Sequence, residues 1–323
     1  MTVAAAPSRH LTSHREGLTG PAFVKRPRSP THREDLLREA AVYGVVRHRC
    51  PATAARVPAG ARWNAGSGEL EMDRVPGVTL ADHVAATGAL DPVAAAAVGT
   101  AVGELHAEGA GPAPDDPASD WTRHGVGIVR PTPGLVSVMS TGGIALLKVL
   151  QRDEGLEARL RDLAPETPDA VVHGDLRWSN VLVSPADEPA VRLVDWEMGG
   201  AGEPAWDAGC FAAACVSAWL CSIPAVPGVT SERLAAEAEL PMEVLAPGLG
   251  AFWTAYADAV PHAQPDAWRT RCAQLAAVRL VYTAFEFAQF DAVLRQLPIM
   301  HLQVARNLLA GPVRGAQELL WMP

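Results

Sequence analysis

Lysine is nearly absent from this chain: of its 27 basic residues only Lys25 and Lys148 are lysine, and the other 25 are arginine. Arginine is a planar fork and lysine a compact point charge, so a site that needs the latter would resist replacement. Both lysines are therefore worth tracing. There is no Lys/Arg-rich run, and the formal net charge is −9, which argues against a phosphate-backbone footprint and so against a nucleic-acid partner. Cysteine is scarce too. Cys50, Cys210, Cys215, Cys221 and Cys272 form no CxxC pair and no even framework, so a reduced, cytoplasmic compartment is the simpler reading. The N-terminal MTVAAAPSRH has no charged region followed by a long apolar run, and no secretory signal is read there. One uncharged stretch, 208–231, is long enough to raise a membrane span. Pro224 leaves only sixteen residues before the break, and Cys and Ser interrupt it, so a buried core helix fits better.

What is present is globular composition, 49% hydrophobic and 20% charged over 323 residues, enough to bury a sizeable core. Near the start, Pro21-Ala22-Phe23-Val24-Lys25 reads as a short strand, broken by Pro27 and Pro30. Between Arg33 and Val46, Leu36, Leu37, Ala40, Ala41 and Val45 recur at helical spacing with Glu39 among them. Residues 69–75 alternate like a half-buried strand and stop at Pro76-Gly77. Beyond Gly77 the character is helical. Asp91-Pro92 opens an Ala-rich helix over Val93–His106, and a second helix is predicted over Ile144–Leu163. Three short β signals follow, at 171–172, 181–183 and 191–194, the last two flanking a turn as a hairpin would. The remainder, from Trp206, reads as helices with proline interruptions. The prediction is an α+β chain with a small β-rich N-terminal part and a large helical C-terminal part, joined near residues 74–77.

Between the first and second of those β signals lies His173-Gly174-Asp175-Leu176-Arg177-Trp178-Ser179-Asn180. Asp195-Trp196-Glu197 follows fifteen residues after Asn180, and Trp206-Asp207 comes next. An Asp and an Asn five residues apart on one tight loop can point at a nucleophile and a metal together. A second Asp on the adjoining hairpin strand completes a hard oxygen site suited to magnesium. Phosphoryl transfer needs such a set, together with a cation near the phosphates that are not transferred. The pattern resembles the aminoglycoside phosphotransferase and choline kinase-like family, relatives of the protein kinases, from Lys25 through Asp207.

The resemblance implies a bilobal protein-kinase-like fold, with residues 1–76 as an abbreviated nucleotide-binding lobe and 77–323 as the lobe carrying the catalytic loop and acceptor site. It implies ATP and Mg2+ as cofactors, Asp175 as catalytic base, and Asn180 and Asp195 as metal ligands. Lys25, paired with Glu39 rather than the rival Glu34, would face the α- and β-phosphates. Backbone groups of Asp73 and Val75 would bond the adenine. Arg177 is read either as a contact to the transferred phosphate or as a salt bridge to a neighbouring carboxylate. His173 is expected to hold the loop, Asp207 to tether it through backbone N–H groups, Glu197 to support the metal or bond to solvent, and Lys148 to sit on a solvated helix face.

The chain departs from the family pattern before Lys25, where no Gly-x-Gly-x-x-Gly occurs. Residues Ser8 to Thr12 are read as a Ser-type phosphate-covering loop, with Ser8 as a phosphate contact; otherwise the cover is incomplete or completed by a partner protein. The acceptor stays open. A small-molecule hydroxyl, aminoglycoside-like or of an amino alcohol, predicts an acidic pocket, for which Glu203, Glu286 and Asp291 are the candidates. A Ser/Thr kinase acting on a peptide is the alternative, and a non-catalytic kinase-like binding module a third reading.

Overall fold

Alternating burial along Pro21–Pro27 makes this segment strand β2, with Val24 fully buried on one face. The computed structural model describes residues 10–16, 20–111, 115–184, 190–224, 236–260, 266–289 and 291–320. Strand β1 (His10–Glu16) pairs antiparallel with β2, Thr12 opposite Lys25. With β3 (Arg62–Asn64) and β4 (Glu69–Asp73) they form a four-stranded sheet in the order β1-β2-β4-β3. The expected loop over Ser8–Thr12 is corrected here: His10, Leu11 and Thr12 are strand, because their backbones ladder onto Pro27, Arg26 and Lys25. Ser8 itself lies outside the described residues.

Helix α1 (Arg33–Arg49) crosses this sheet, burying Leu36, Glu39, Val42, Tyr43 and Val46 at helical spacing. Glu34 and Asp35 in its first turn and Arg47, His48 and Arg49 in its last complement the helix dipole. The short α2 (Pro51–Ala54) follows. After the linker at 74–77, β5 (Val78–Thr79) pairs with β7 (Val181–Val183), which pairs in turn with β8 (Val191–Leu193). This is the expected hairpin, although residues 185–189 of its turn lie outside the described residues. A two-stranded sheet joins β6 (Ala170–Val172) to β9 (Gly200–Gly202).

The helical part contains α3 (Leu80–Thr87), α4 (Pro92–Glu108), α5 (Asp120–His124), α6 (Pro133–Val138), α7 (Thr141–Arg152) and α8 (Glu154–Asp162). It continues with α9 (Pro204–Ser222), α10 (Met242–Ala259), α11 (Asp266–Ala288), α12 (Gln296–Ala310) and α13 (Pro312–Glu318). The single helix predicted over 144–163 is two. Asp153 separates them, its side chain accepting from Leu156 N–H at 3.0 Å and so starting α8. Pro247 is the sixth residue of α10 and does not interrupt it. Helices α4 and α10 meet backbone to backbone: a Cβ on Gly99 would stand 2.3 Å from the Phe252 carbonyl oxygen. Helix α9 is long and apolar enough to cross a membrane, but 67% of its apolar window is buried against the protein. It is a core helix packed on α11. Lys148 is exposed on α7.

Candidate active site

The loop after β6 is held from behind before it presents any chemistry. Asp207, fully buried in the first turn of α9, accepts from the backbone N–H of His173 at 2.6 Å and of Gly174 at 2.8 Å. His106 Nε2 lies 3.2 Å from the same carboxylate. Trp206 Nε1 donates to the Gly174 carbonyl at 2.7 Å. Gly174 adopts φ +83, and a Cβ there would fall 2.1 Å from the Met198 carbonyl oxygen, so the position requires glycine. His173 Nδ1 accepts from Asp175 N–H at 3.3 Å, which leaves Nε2 to donate to Val194 C=O at 2.9 Å. The imidazole thereby ties the loop to the strand that delivers Asp195. This is the tethering expected of His173 and Asp207.

Asp175 is gripped on both sides. Arg177 Nε lies 3.1 Å from its Oδ2, and Asn180 Nδ2 donates to its Oδ2 at 3.0 Å and to its carbonyl at 2.9 Å. A third partner comes from α11: Arg279 Nη2 is 3.5 Å from Asp175 Oδ1. Burial alone would raise this carboxyl, but the Arg177 and Arg279 guanidiniums outweigh it and hold it down to about 2. Both arginines also clasp Glu286, Arg177 Nη2 at 2.9 and 3.1 Å and Arg279 at 2.8 and 3.3 Å. Burial likewise raises Glu286, and the two guanidiniums reverse that to a net lowering.

Across the cleft, Lys25 on β2 is 6% exposed and donates to both oxygens of Glu39 at 2.8 Å. It also pairs with Asp195. Tyr43 Oη donates to Glu39 from one helical turn on, at 3.2 Å. Burial works against the ammonium, yet the two carboxylates overcome it and raise Lys25 above its ordinary value. Asp195 is lowered, its burial penalty outweighed by Lys25. Among the described residues Asp195 is the one non-glycine with positive φ, at 67. That conformation costs backbone energy and is held by its surroundings.

The oxygens available to a metal are hard ones. Because Asn180 uses its amide nitrogen on Asp175, its Oδ1 is left as the donor atom, and Asp195 supplies carboxylate oxygen. Magnesium favours such ligands and characteristically takes only one or two from the protein, the rest from phosphates and water. Among the described residues no group of three or more His, Cys, Asp or Glu side chains could hold a metal by itself. Asn180 and Asp195 therefore fit the group expected of them.

Lys25, Asp73, Val75, Asp175, Arg177, Asn180 and Asp195 line a single cleft of about 1010 Å³, with Glu39 behind Lys25. His10 and Thr12 of β1 line it as well. Asp73 N–H is engaged by the Ala59 carbonyl at 2.8 Å, which removes it as an adenine donor. Of the acidic trio expected in the acceptor pocket, Glu286 lines the cleft but is neutralised by two arginines. Glu203 is buried elsewhere, bonded to Trp121 Nε1 and Arg271, and Asp291 pairs with Arg295. Arg38 and Arg279 escaped the reading of the sequence. Arg279 carried a usable signal, a lone charge in the apolar run Leu275–Val281, where an unpaired guanidinium could not be buried. Arg38, next to Glu39, donates to the carbonyls of Glu197, Ala118 and Gly199. Glu197 meets His10 Nδ1 at 3.3 Å.

Residues 4–230 match the model of the phosphotransferase enzyme family. The chain is 33% identical over 145 residues to the viomycin phosphotransferase of Streptomyces vinaceus, covering 43% of this chain and 47% of that one. It thus spans about half the length of that relative. Its fold is that of an ethanolamine kinase of Plasmodium vivax, with TM-score 0.54 at 10% identity over 95% of this chain and 81% of that one. It is equally that of a spectinomycin phosphotransferase solved with ADP and spectinomycin, with TM-score 0.50 at 8% identity over 98% and 92%. The α+β chain, a small antiparallel sheet ahead of a helical body, is protein-kinase-like, and by its matched sequence it belongs to the phosphotransferase enzyme family.

Proposed function

We propose that the protein transfers the γ-phosphate of ATP, with Mg2+, to a hydroxyl group of a small molecule. The observation that carries this reading is the convergence of Lys25–Glu39, Asp175, Asn180 and Asp195 on one cleft from four separate segments. A scaffold without catalysis has no physical need to bury a lysine against two carboxylates and to hold an aspartate between two arginines. The division follows the same lines: residues up to about 76 bind the nucleotide, and 77–323 carry the catalytic loop and acceptor site.

Lys25 positions the phosphates that stay behind, with Glu39 fixing the direction of its ammonium. Asn180 Oδ1 and Asp195 hold the metal, which when bound neutralises phosphate charge. Asp175 is held at about 2 and is a weak base, so it acts first by accepting a hydrogen bond from the acceptor hydroxyl and aiming it. Its proton transfer falls late, as a loose phosphoryl transition state allows. Arg177 lies beside Asp175 and meets the transferred phosphate with the Nη1 hydrogens that neither Asp175 nor Glu286 engages.

The test is transfer of labelled phosphate from ATP with magnesium to small hydroxyl compounds, amino alcohols and Ser/Thr peptides in parallel. Asp175→Asn should lower the rate by at least about 10²-fold. Full activity of that variant on an accepted substrate would refute the mechanism, and transfer to peptides alone would replace the small-molecule acceptor.

A further inference from the structure

Beyond Asp175 the cleft continues between α9 and α11, and this wall has an unusual balance of charge. Among its described residues the one carboxylate is Glu286, and both its oxygens are taken by Arg177 and Arg279. No free anion remains there for an ammonium group, since the two guanidiniums balance the charges of Glu286 and Asp175. The surface between is small and apolar, with Ala214, Ala218 and Cys221 on α9 and Phe287 on α11.

Two hydroxyls interrupt the apolar lining, and the protons of both are directed away from the cleft. His301 on α12 is fully buried, and its Nδ1 lies 2.9 Å from the Leu297 carbonyl, which can only accept. Nδ1 therefore carries the hydrogen. Burial pushes this imidazole down to about 4, so near neutral pH its Nε2 is a bare acceptor. Ser217 Oγ, 2.9 Å from Nε2, must then donate its proton inward. Thr283 Oγ1 likewise donates to the Arg279 carbonyl at 3.0 Å. With both protons so engaged, what Ser217 and Thr283 have left to offer a ligand in the cleft is lone pairs, Cys221 Sγ standing 4.0 Å from Ser217 Oγ.

We propose that this wall selects an uncharged acceptor, a hydroxyl-rich molecule with an apolar body whose O–H or N–H groups donate to Ser217 and Thr283, and that it rejects polycations. The inference rests on the phosphotransferase reading, which places the acceptor on this side of Asp175. It replaces the acidic pocket that an aminoglycoside or a cationic amino alcohol would need.

The test is calorimetric titration of the full chain saturated with MgADP, using octyl glucoside, kanamycin and choline as probes. Octyl glucoside should bind, with kanamycin and choline at least about tenfold weaker. Ser217→Ala and Thr283→Val should each weaken the glucoside about fivefold, the loss of one hydrogen bond, with MgADP affinity unchanged. Thr283→Val is nearly isosteric and leaves the Ser217–His301 pair intact, so it stands even where Ser217→Ala lowers stability. Tighter binding of either cation, no binding of the glucoside, or an unaltered glucoside affinity in both variants overturns the proposal. Failure of MgADP itself to bind would instead remove the phosphotransferase reading beneath it.

Discussion

Replacing Asp207 by Asn separates the anchoring of the catalytic loop from its chemistry. The carboxylate receives two backbone N–H groups, from His173 at 2.6 Å and Gly174 at 2.8 Å, and sits at zero exposure. Asparagine has nearly the same shape but offers one oxygen, so its NH₂ must face one of those N–H groups. One buried donor is left unsatisfied, at about 1–3 kcal/mol, and the surviving bond loses its charge assistance, roughly another 1 kcal/mol. The expected loss is therefore about 2–4 kcal/mol, a large share of a typical stability of about 5–15 kcal/mol. A urea titration followed by tryptophan fluorescence reads the first effect. The second is kinetic: Asp175 begins two residues past the anchor, and a displacement of about 1 Å at the reacting group is enough for a 10²-fold slower transfer. MgATP affinity should fall by much less than the rate, because Lys25 and Glu39 lie on other elements and of the metal ligands only Asn180 shares the loop. An unchanged unfolding midpoint together with a transfer rate within twofold would show that Asp207 does not carry the loop.

Gly174→Ala forces a Cβ to within 2.1 Å of the Met198 carbonyl at φ +83, and thermal denaturation should show a loss of about 3 kcal/mol or more. Lys25→Arg puts a larger, planar cation where Nζ meets both Glu39 oxygens at 2.8 Å, so nucleotide titration should show MgATP affinity at least about tenfold weaker despite the conserved charge. His301 gives a pH effect of definite sign. Its folded value is depressed to about 4 from 6.5, through burial first, with Glu286 and Arg279 of α11 acting on it in opposite directions. The unfolded chain takes up the proton near 6.5 and the native chain does not, so stability is complete above that pH. It falls by about 3 kcal/mol as pH drops from 6.5 through 4. His301→Gln should flatten that slope in urea titrations at pH 7 and 4.5, and an identical slope would exclude His301 as its source.

The local half of the site could be read from the chain itself. Asp175 and Asn180 share one loop, Asp195 arrives on the hairpin strand, and Lys25 and Glu39 follow from a short strand and the next helix, so each lies within reach of a sequence pattern. Arg279 is 104 residues from Asp175 and Ser217 is 84 from His301, and these pairs exist only because α9, α11 and α12 pack together. No local signal encodes such packing. The acidic-pocket expectation failed for a related reason. Counting carboxylates cannot tell which are already paired, and Glu203 and Glu286 are both held by arginines. The boundary errors were local instead. Asp153 as an N-cap inside an apparently continuous helix, and His10–Thr12 as strand, were set by one side-chain bond and one backbone ladder that composition alone does not weigh.

Arg38 and Glu39 are consecutive on α1, yet they fasten it to different places. Glu39 engages Lys25 of the sheet, while Arg38 feeds the carbonyls of Glu197 and Gly199, just past Asp195, and of Ala118, just ahead of α5. A rotation of α1 sufficient to free one would pull on the other, so the two attachments can be expected to open together. The helix is thus held at two points, and a half-turned guanidinium would leave part-buried carbonyls without that donor. Anything that moved α1 would reach Lys25 and the segment past Asp195 in the same motion.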